Sequence, residues 1–337
     1  MTIGFEMFIL AAEELNFTRA AERAFVTQQC LSDHIKRLEE TYHITLFKRK
    51  PHLQLTDEGH AMLKYLSRIK ALEDSMVNEL SDINSGVRGT LHWGISTTRG
   101  AIVIPKLIPA FQKRFSNVDV QVQLADTRYL EQKLLNGKID IFLGVDSNQH
   151  ALFHREKVYD DPIYLVISKK LLEVYLETRN EQIMSDFSKG IDLKQFHDLP
   201  FVQGHPSSTT TYAINQFLLQ HNIHLNIPIF VSNFDIMIDL CQSGQYATIT
   251  PSFHLSRLMK SGESKSDGKQ LLILPIKNFS HQLNVEIITH KDASPLIHRQ
   301  VFKELLRDCL LAENYRVKEF IRNKNKESSK PDAHAGA

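Results

Sequence analysis

Apolar positions along the first 85 residues recur at helical spacing, with short breaks between runs. Phe5, Phe8, Ile9, Ala12 and Leu15 fall three or four residues apart, so residues 3 to 15 form an amphipathic helix with one buried stripe. Thr18 and Thr27 each place a hydroxyl ahead of a further helical run, "RAAERAF" and "QQCLSDHIKRLEETY", and are the expected N-caps. In the second of these helices Leu31, Ile35, Leu38 and Tyr42 make the inner stripe, which leaves Gln28, Gln29, Ser32, Lys36 and Arg37 on other faces. "ITLFKRKPHLQLTDEG" then alternates like two short strands around a turn at Pro51 and reads as a small wing. From Gly59 to about Ser85 no proline or glycine intervenes. Met62, Leu66, Ile69, Met76, Leu80 and Ile83 form a narrow seam there, on a helix too long for a small core, which suggests pairing with a second copy.

The rhythm changes after "SGVRG" at 85–89, a helix breaker and the expected domain boundary. "TLHWGIS", a helix over 105–115, "VDVQVQL", a helix over 129–136 and "IDIFLGV" alternate strand with helix, which predicts right-handed crossovers and a mostly parallel sheet. "PIYLVIS" at 162–168 leads into a second α/β unit with a helix "TTYAINQFLLQH", a strand "IPIFVSN", a helix over 234–243 and the strand "QYATITP". "QLLILPI" and "LNVEIITH" return before a last helix from about Pro295. The expected organisation is therefore a helical unit with a wing at 1–58, a linker and dimerisation helix at 59–88 and an α/β domain at 89–314. That domain divides into subdomain I, about 89–165 and 271–314, and subdomain II, about 166–270. Residues 315–337 read as a basic, disordered tail, with a minor auxiliary DNA contact as the alternative to simple solvation.

Composition narrows this picture. A chain of 337 residues needs two or three cores, and its 42% apolar and 23% charged content is that of a folded soluble protein. With 40 basic against 39 acidic residues, bulk charge names no polyanionic partner, so any nucleic-acid surface must be local. Residues 1–58 hold seven basic and nine acidic side chains, yet Lys36, Arg37, Lys48, Arg49 and Lys50 cluster around the polar face of the third helix. Three scattered cysteines fit a reducing compartment. The acid-interrupted amino terminus makes a poor export signal, and no apolar run approaches a membrane span, so the expectation is a cytoplasmic protein with no membrane partner. Nucleophile-elbow, zinc-protease, P-loop and dinucleotide motifs are absent in their required contexts, so no enzyme of those classes, no cofactor and no metal is expected. His221 and His224 read as a solvated pair at a helix end, and Cys30 as a small hydrophobe, with redox sensing as the alternative.

Two helices around a tight turn are often only a hairpin. Here a wing and a self-pairing helix follow them, and the second helix presents Gln28, Gln29 and Ser32 near its amino end, where side chains can enter a major groove. The run "NFTRAAERAFVTQQCLSDHIKRLEE…LFKR…LQLTDEG" resembles the LysR-type transcriptional regulators, with Ala20, Ala21, Ser32, Ile35, Leu38, Glu39, Leu46, Phe47, Arg49, Leu55, Thr56 and Gly59 in register. The resemblance extends over residues 1 to about 300. It implies a winged helix-turn-helix, a dimerising linker helix and a two-subdomain α/β sensor domain of the periplasmic-binding-protein type. Asp33 and His43 depart from the family pattern, which often has a basic residue and a glycine there.

The reading is thus a homodimeric or homotetrameric regulator that binds double-stranded DNA and answers to a small-molecule effector of unnamed identity. Thr18, Arg19, Gln28, Gln29, Ser32, Lys36, Arg37 and Arg49 are the expected DNA contacts, with the glutamines on bases. Ser96, Thr97 and Thr98 in "GISTTRG" follow a strand and suit a small anion or carboxylate; the alternative is a plain hydroxyl-capped turn. Gln203 and Thr209 in "QGHPSSTTTY", and Thr127, are the matching candidates elsewhere. Competing readings are a regulator that responds to a protein partner or to redox state, and a solute-binding protein.

Overall fold

The computed structural model describes residues 1–48, 52–85, 88–178, 190–259, 270–279 and 281–328. Helices α1 (Ile3–Glu14), α2 (Phe17–Arg23) and α3 (Gln28–Tyr42) close around one small core in which Phe8, Ala20, Leu31, Ile35 and Leu46 are wholly buried. Each large apolar side chain so buried stabilises the fold by about 1.5–3 kcal/mol. Thr27 caps α3 as its sequence position suggests, accepting from the Cys30 N–H at 3.2 Å. Thr18 does not cap α2. Asn16 does: its backbone is extended, and its Oδ1 accepts from Thr18 N–H at 2.9 Å and Arg19 N–H at 3.2 Å, which leaves Thr18 inside the first turn. His43 ends α3 in the left-handed region, at φ 54°.

The wing is an antiparallel pair, β1 (Phe47–Lys48) and β2 (Gln54–Leu55), with Phe47 opposite Leu55. Arg49, between them, lies outside the described residues. Thr56 ties the wing to α4 (Asp57–Ser85): its hydroxyl donates to the Thr45 carbonyl at 2.6 Å and accepts from the Gly59 N–H at 2.9 Å. The amino-terminal end of the expected pairing seam is used at home, because Leu66 is buried and Met62 packs on the same small core. The band that remains exposed is Tyr65, Ile69, Leu72, Met76 and Val77; the side chains of Leu80 and Ile83 lie outside the described residues.

The α/β domain begins with β3 (Gly89–Ile95), α5 (Thr97–Arg114), β4 (Val118–Leu124), α6 (Thr127–Leu135), β5 (Ile141–Val145) and β6 (Phe153–Asp161). It crosses to β7 (Ile163–Ser168), α7 (Lys169–Glu177), β8 (Pro200–Gly204), α8 (Thr209–Gln220), β9 (Asn226–Val231), α9 (Phe234–Gln242) and β10 (Thr248–Pro251), followed by a 3-10 turn over Ser252–Arg257. β11 (Leu271–Pro275), β12 (Leu283–His290) and α10 (Ile297–Ser328) complete the chain.

The first sheet runs β4-β3-β5-β12-β6, with β3 parallel to both β4 and β5, and β12 antiparallel to both β5 and β6. The second repeats the plan. β8 and β9 are parallel, β8 is bridged to β10 at Phe201 and Ala247, and β7 runs antiparallel to β10 and β11. In each sheet four strands therefore run the same way and one runs against them, β12 in the first and β7 in the second, because the chain passes between the sheets twice and each crossing strand enters its new sheet reversed. For the same reason Ile163–Leu165 and Leu271–Pro275 belong to the second sheet, whereas the sequence reading placed them in subdomain I.

Three more features depart from expectation. Helix α5 starts eight residues before Pro105 and carries Pro105 and Pro109 inside it; burial of Val103, Leu107 and Phe111 along one stripe outweighs the missing N–H groups. β6 and α7 were not among the expected elements, although Leu172 and Leu176 give α7 a buried stripe at helical spacing. Helix α10 continues through the supposed tail to Ser328, because Leu306, Leu310, Val317 and Ile321 keep one buried stripe against the core. Residues 329–337 lie outside the described residues. Gly137, at φ +65°, sits where a Cβ would come within 2.6 Å of the Ala71 Cβ, so α4 approaches the α/β domain through a position that only glycine fits.

Candidate functional site

On the amino-terminal domain Gln28, Gln29, Lys36 and Arg37 are exposed on α3, Ser32 is half-buried, and Thr18 and Arg19 are exposed at the start of α2. Thr18 Oγ1 donates to Gln28 Oε1 at 3.4 Å, so the starts of α2 and α3 share one surface. Lys36 faces Glu40 one turn on, at 3.6 Å, in a solvated pair worth little to stability. Asp33 is exposed on the same helix. Of the expected DNA contacts the fold joins Thr18 and Gln28 directly, while the others it describes are spread over α2 and α3, with Gln28 and Arg37 on opposite faces of α3.

The second site lies between the two sheets. A cleft of about 350 Å³ is lined from subdomain I by Ser96, Thr97, Thr98, Arg99, Asp126 and Thr127. Thr209, Thr210, Thr211, Ile214, Met237 and Thr250 are among the side chains facing it from subdomain II. Five of the six predicted effector residues therefore meet there. Gln203 does not line it: buried under α8, its Nε2 donates to Asn215 Oδ1 at 2.9 Å. Thr127 Oγ1 accepts from the Val145 N–H at 3.1 Å, which anchors the start of α6 to the end of β5. The residues at the cap positions of α5 and α8, Ser96 and Ser208, make no side-chain cap hydrogen bond, so neither hydroxyl takes up the first amides of its helix. Gly204 closes the far wall; a Cβ there would meet Thr211 Oγ1 at 2.6 Å.

Sequence reasoning missed the charged groups of this cleft. Arg99 is 1% exposed, and its Nη2 donates to Asp161 Oδ2 at 2.8 Å. Asp161 stands where the chain crosses from β6 to β7, and it also accepts from Ser252 Oγ at 2.7 Å and from the Phe253 N–H at 3.0 Å. Burial pushes its carboxyl above the ordinary range, opposed by Arg99, the Ser252 hydroxyl and the two amides. His254 shares a 3.2 Å hydrogen bond with Thr250 Oγ1, and burial, reinforced by the Arg99 charge, holds its pKa well below the ordinary histidine value. Asp126, at the cleft lip, makes no cap bond to α6; burial against the walls raises its pKa, and nearby His205 opposes this. Arg99 was visible in "STTRG", but its burial depends on a carboxylate 62 residues away.

Comparison with known proteins settles the class. A family model described as "LysR substrate binding domain" matches residues 84–310, and one described as "Bacterial regulatory helix-turn-helix protein, lysR family" matches residues 4–60. The chain belongs to the LysR family of transcriptional regulators. It is 27% identical over 294 residues, 85% of this chain and 90% of the relative, to a probable RuBisCO transcriptional regulator of Thalassiosira pseudonana. In fold it is similar to a full-length OxyR variant from Pseudomonas aeruginosa, with a TM-score of 0.63 and 20% identity over 92% of this chain and 94% of that one. It is also similar to full-length CbnR in complex with its target DNA, with a TM-score of 0.56 and 19% identity over 91% and 98% of the two chains. As a LysR-type regulator the chain is a DNA-binding protein, and the cleft lies in its substrate-binding domain. No described helix is long and apolar enough to cross a membrane.

Proposed function

We propose that this LysR-type regulator reads double-stranded DNA through α3 and the wing and is controlled by a small molecule held in the cleft between the two α/β subdomains. Gln28 and Gln29 pair with base edges, and Thr18, Arg19, Ser32, Lys36, Arg37 and Arg49 fix the helix on phosphates. Two such domains act together as a homodimer or a pair of dimers, joined along α4, whose exposed band of Tyr65, Ile69, Leu72, Met76 and Val77 asks for an apolar partner. An action on DNA supports the expected cytoplasmic location.

One observation carries the ligand half of this reading: the hydroxyl-rich starts of α5 and α8 face each other across a cleft of about 350 Å³, within the range of small-molecule sites. The two subdomains are joined by the crossing strands, so a ligand touching both walls favours the closed arrangement. It changes the spacing of the DNA-binding domains only by as much as it prefers that arrangement. Redox sensing at Cys241 or Cys309 has less support, since burial raises both thiol pKa values, the reverse of what a reactive thiolate needs.

Thermal-shift and calorimetric screening of the full chain against small carboxylates tests the cleft. The expected result is a ligand whose binding is lost in the Ser96→Ala/Thr98→Ala double variant. A ligand that binds this variant as tightly as the wild type places the site elsewhere.

A further inference from the structure

The cleft's charged groups say which small anion it suits, an inference that rests on the cleft being the ligand site. Its floor is the Arg99–Asp161 ion pair. Arg99 spends Nη2 on Asp161, but its Nη1 is buried and has no hydrogen-bond partner among the described residues. Asp161 already receives Arg99, a hydroxyl and an amide. The guanidinium therefore retains donor capacity that a ligand acceptor would fill. The uncapped first amides of α5 stand in the same stretch of chain, immediately before Arg99. Across the cleft, Thr209 is 8% exposed and its Oγ1 is likewise without a partner among the described residues. Two orphaned groups in one cleft are what an acceptor-rich ligand group leaves behind.

A second, opposite charge sits beside this anion-seeking end. The Ala125 N–H donates to the Ile95 carbonyl at 3.1 Å, which locks the ends of β3 and β4 together, so that Ser96 and Asp126 emerge side by side. Asp126 occupies the cap position of α6 without capping it, and its carboxylate lines the cleft. An added carboxylate group next to Asp126 would be repelled, which disfavours a dicarboxylate lying along this lip. A plain monocarboxylate would leave Asp126 with only the nearby His205 to answer its charge. A ligand whose anionic and cationic groups are one carbon apart meets both demands at once. Ile214, Val231, Phe234, Met237 and Ile249 form an apolar stretch of the wall, beside Thr211, Thr250 and His254, and that stretch takes an uncharged side chain.

We propose that the effector is an α-amino acid, with its carboxylate at the start of α5 and on Arg99, its ammonium on Asp126, and its side chain against the apolar wall of subdomain II.

The test is calorimetric titration of the full-length chain with the standard amino acids, and then with the des-amino acid of each one that binds. The expected result is at least one binding amino acid whose affinity falls by about tenfold or more when the ammonium is deleted, the loss of one charge-assisted contact. Asp126→Asn, at the exposed lip, should impose the same loss on the amino acid and none on its des-amino analogue. The proposal is overturned if no amino acid binds, if the des-amino acid binds as tightly as its parent, or if Asp126→Asn leaves the amino acid's affinity unchanged. If plain carboxylates bind, with or without their amino groups, and are lost in Ser96→Ala/Thr98→Ala, the cleft remains the ligand site and the amino-acid assignment alone falls.

Discussion

Helices α3 and α5 present their amino ends in opposite ways. At α3 the cap residue is occupied: Thr27 Oγ1 takes the Cys30 N–H, and what the helix start offers outward is the side chains of Gln28 and Gln29. At α5 the cap residue is idle: Ser96 makes no cap bond, so the helix start offers backbone N–H groups and, one turn in, the buried guanidinium of Arg99. A capped and exposed start suits a surface that must read base edges in a groove. An uncapped start inside a cleft suits a ligand small enough to be surrounded, because the ligand itself supplies the missing acceptors.

Removing Arg99 strains this contrast most. Arg99→Gln leaves the Asp161 carboxylate buried without its cation, and should cost about 3–5 kcal/mol in urea denaturation. Adding Asp161→Asn should recover part of that loss, because the two residues act as a pair. Full additivity of the two losses would show that Arg99 holds the crossing point by packing alone.

Histidine 254 gives the next largest effect. Its folded pKa lies well below the unfolded value, so near pH 6 the unfolded chain binds a proton that the folded chain does not. Stability is therefore complete above about pH 6.5 and is lost as pH falls, by at most about 1.4 kcal/mol per pH unit. His254→Gln should flatten the melting-temperature profile between pH 7 and pH 5.5; an unchanged slope would mean that other groups carry it.

The smallest effects separate the two helix starts most cleanly. Thr27→Ala removes a working cap and should cost about 1 kcal/mol of stability. Ser96→Ala removes no cap bond and should change stability by less than about 0.5 kcal/mol, with its effect confined to ligand affinity. Equal destabilisation by the two substitutions would erase the distinction between them.

The contrast also explains what could be read in the chain beforehand. Every residue that shapes the α3 surface lies within one run of sequence, from Thr18 to Arg37, so periodicity and cap chemistry place it, apart from a cap that falls on Asn16 instead of Thr18. The cleft is assembled from the ends of strands far apart in sequence. Its hydroxyls at 96–98 and 209 were legible as helix-start chemistry. The Arg99–Asp161 pair arises only when the crossing strands bring residues 99, 161 and 252 together, and Asp126 reaches the cleft lip only because β3 and β4 pair side by side. Two partly antiparallel sheets escaped notice for the same reason, since reversal of a crossing strand leaves no mark on its own hydropathy. The long run of α10 past Asn314 was different: Val317, Phe320 and Ile321 carry the pattern, and the surrounding Lys and Arg residues obscure it.

Footprinting the full-length protein on the DNA flanking its own gene, at moderate salt, puts the account to its most direct test when wild type is compared with Gln28→Ala/Gln29→Ala. The account predicts a protected site for the wild type, and for the variant either loss of protection or spreading over unrelated sequence, while melting temperature stays near the wild-type value. Protection that is unchanged in extent and affinity in the variant would contradict it, and would move DNA reading away from the start of α3.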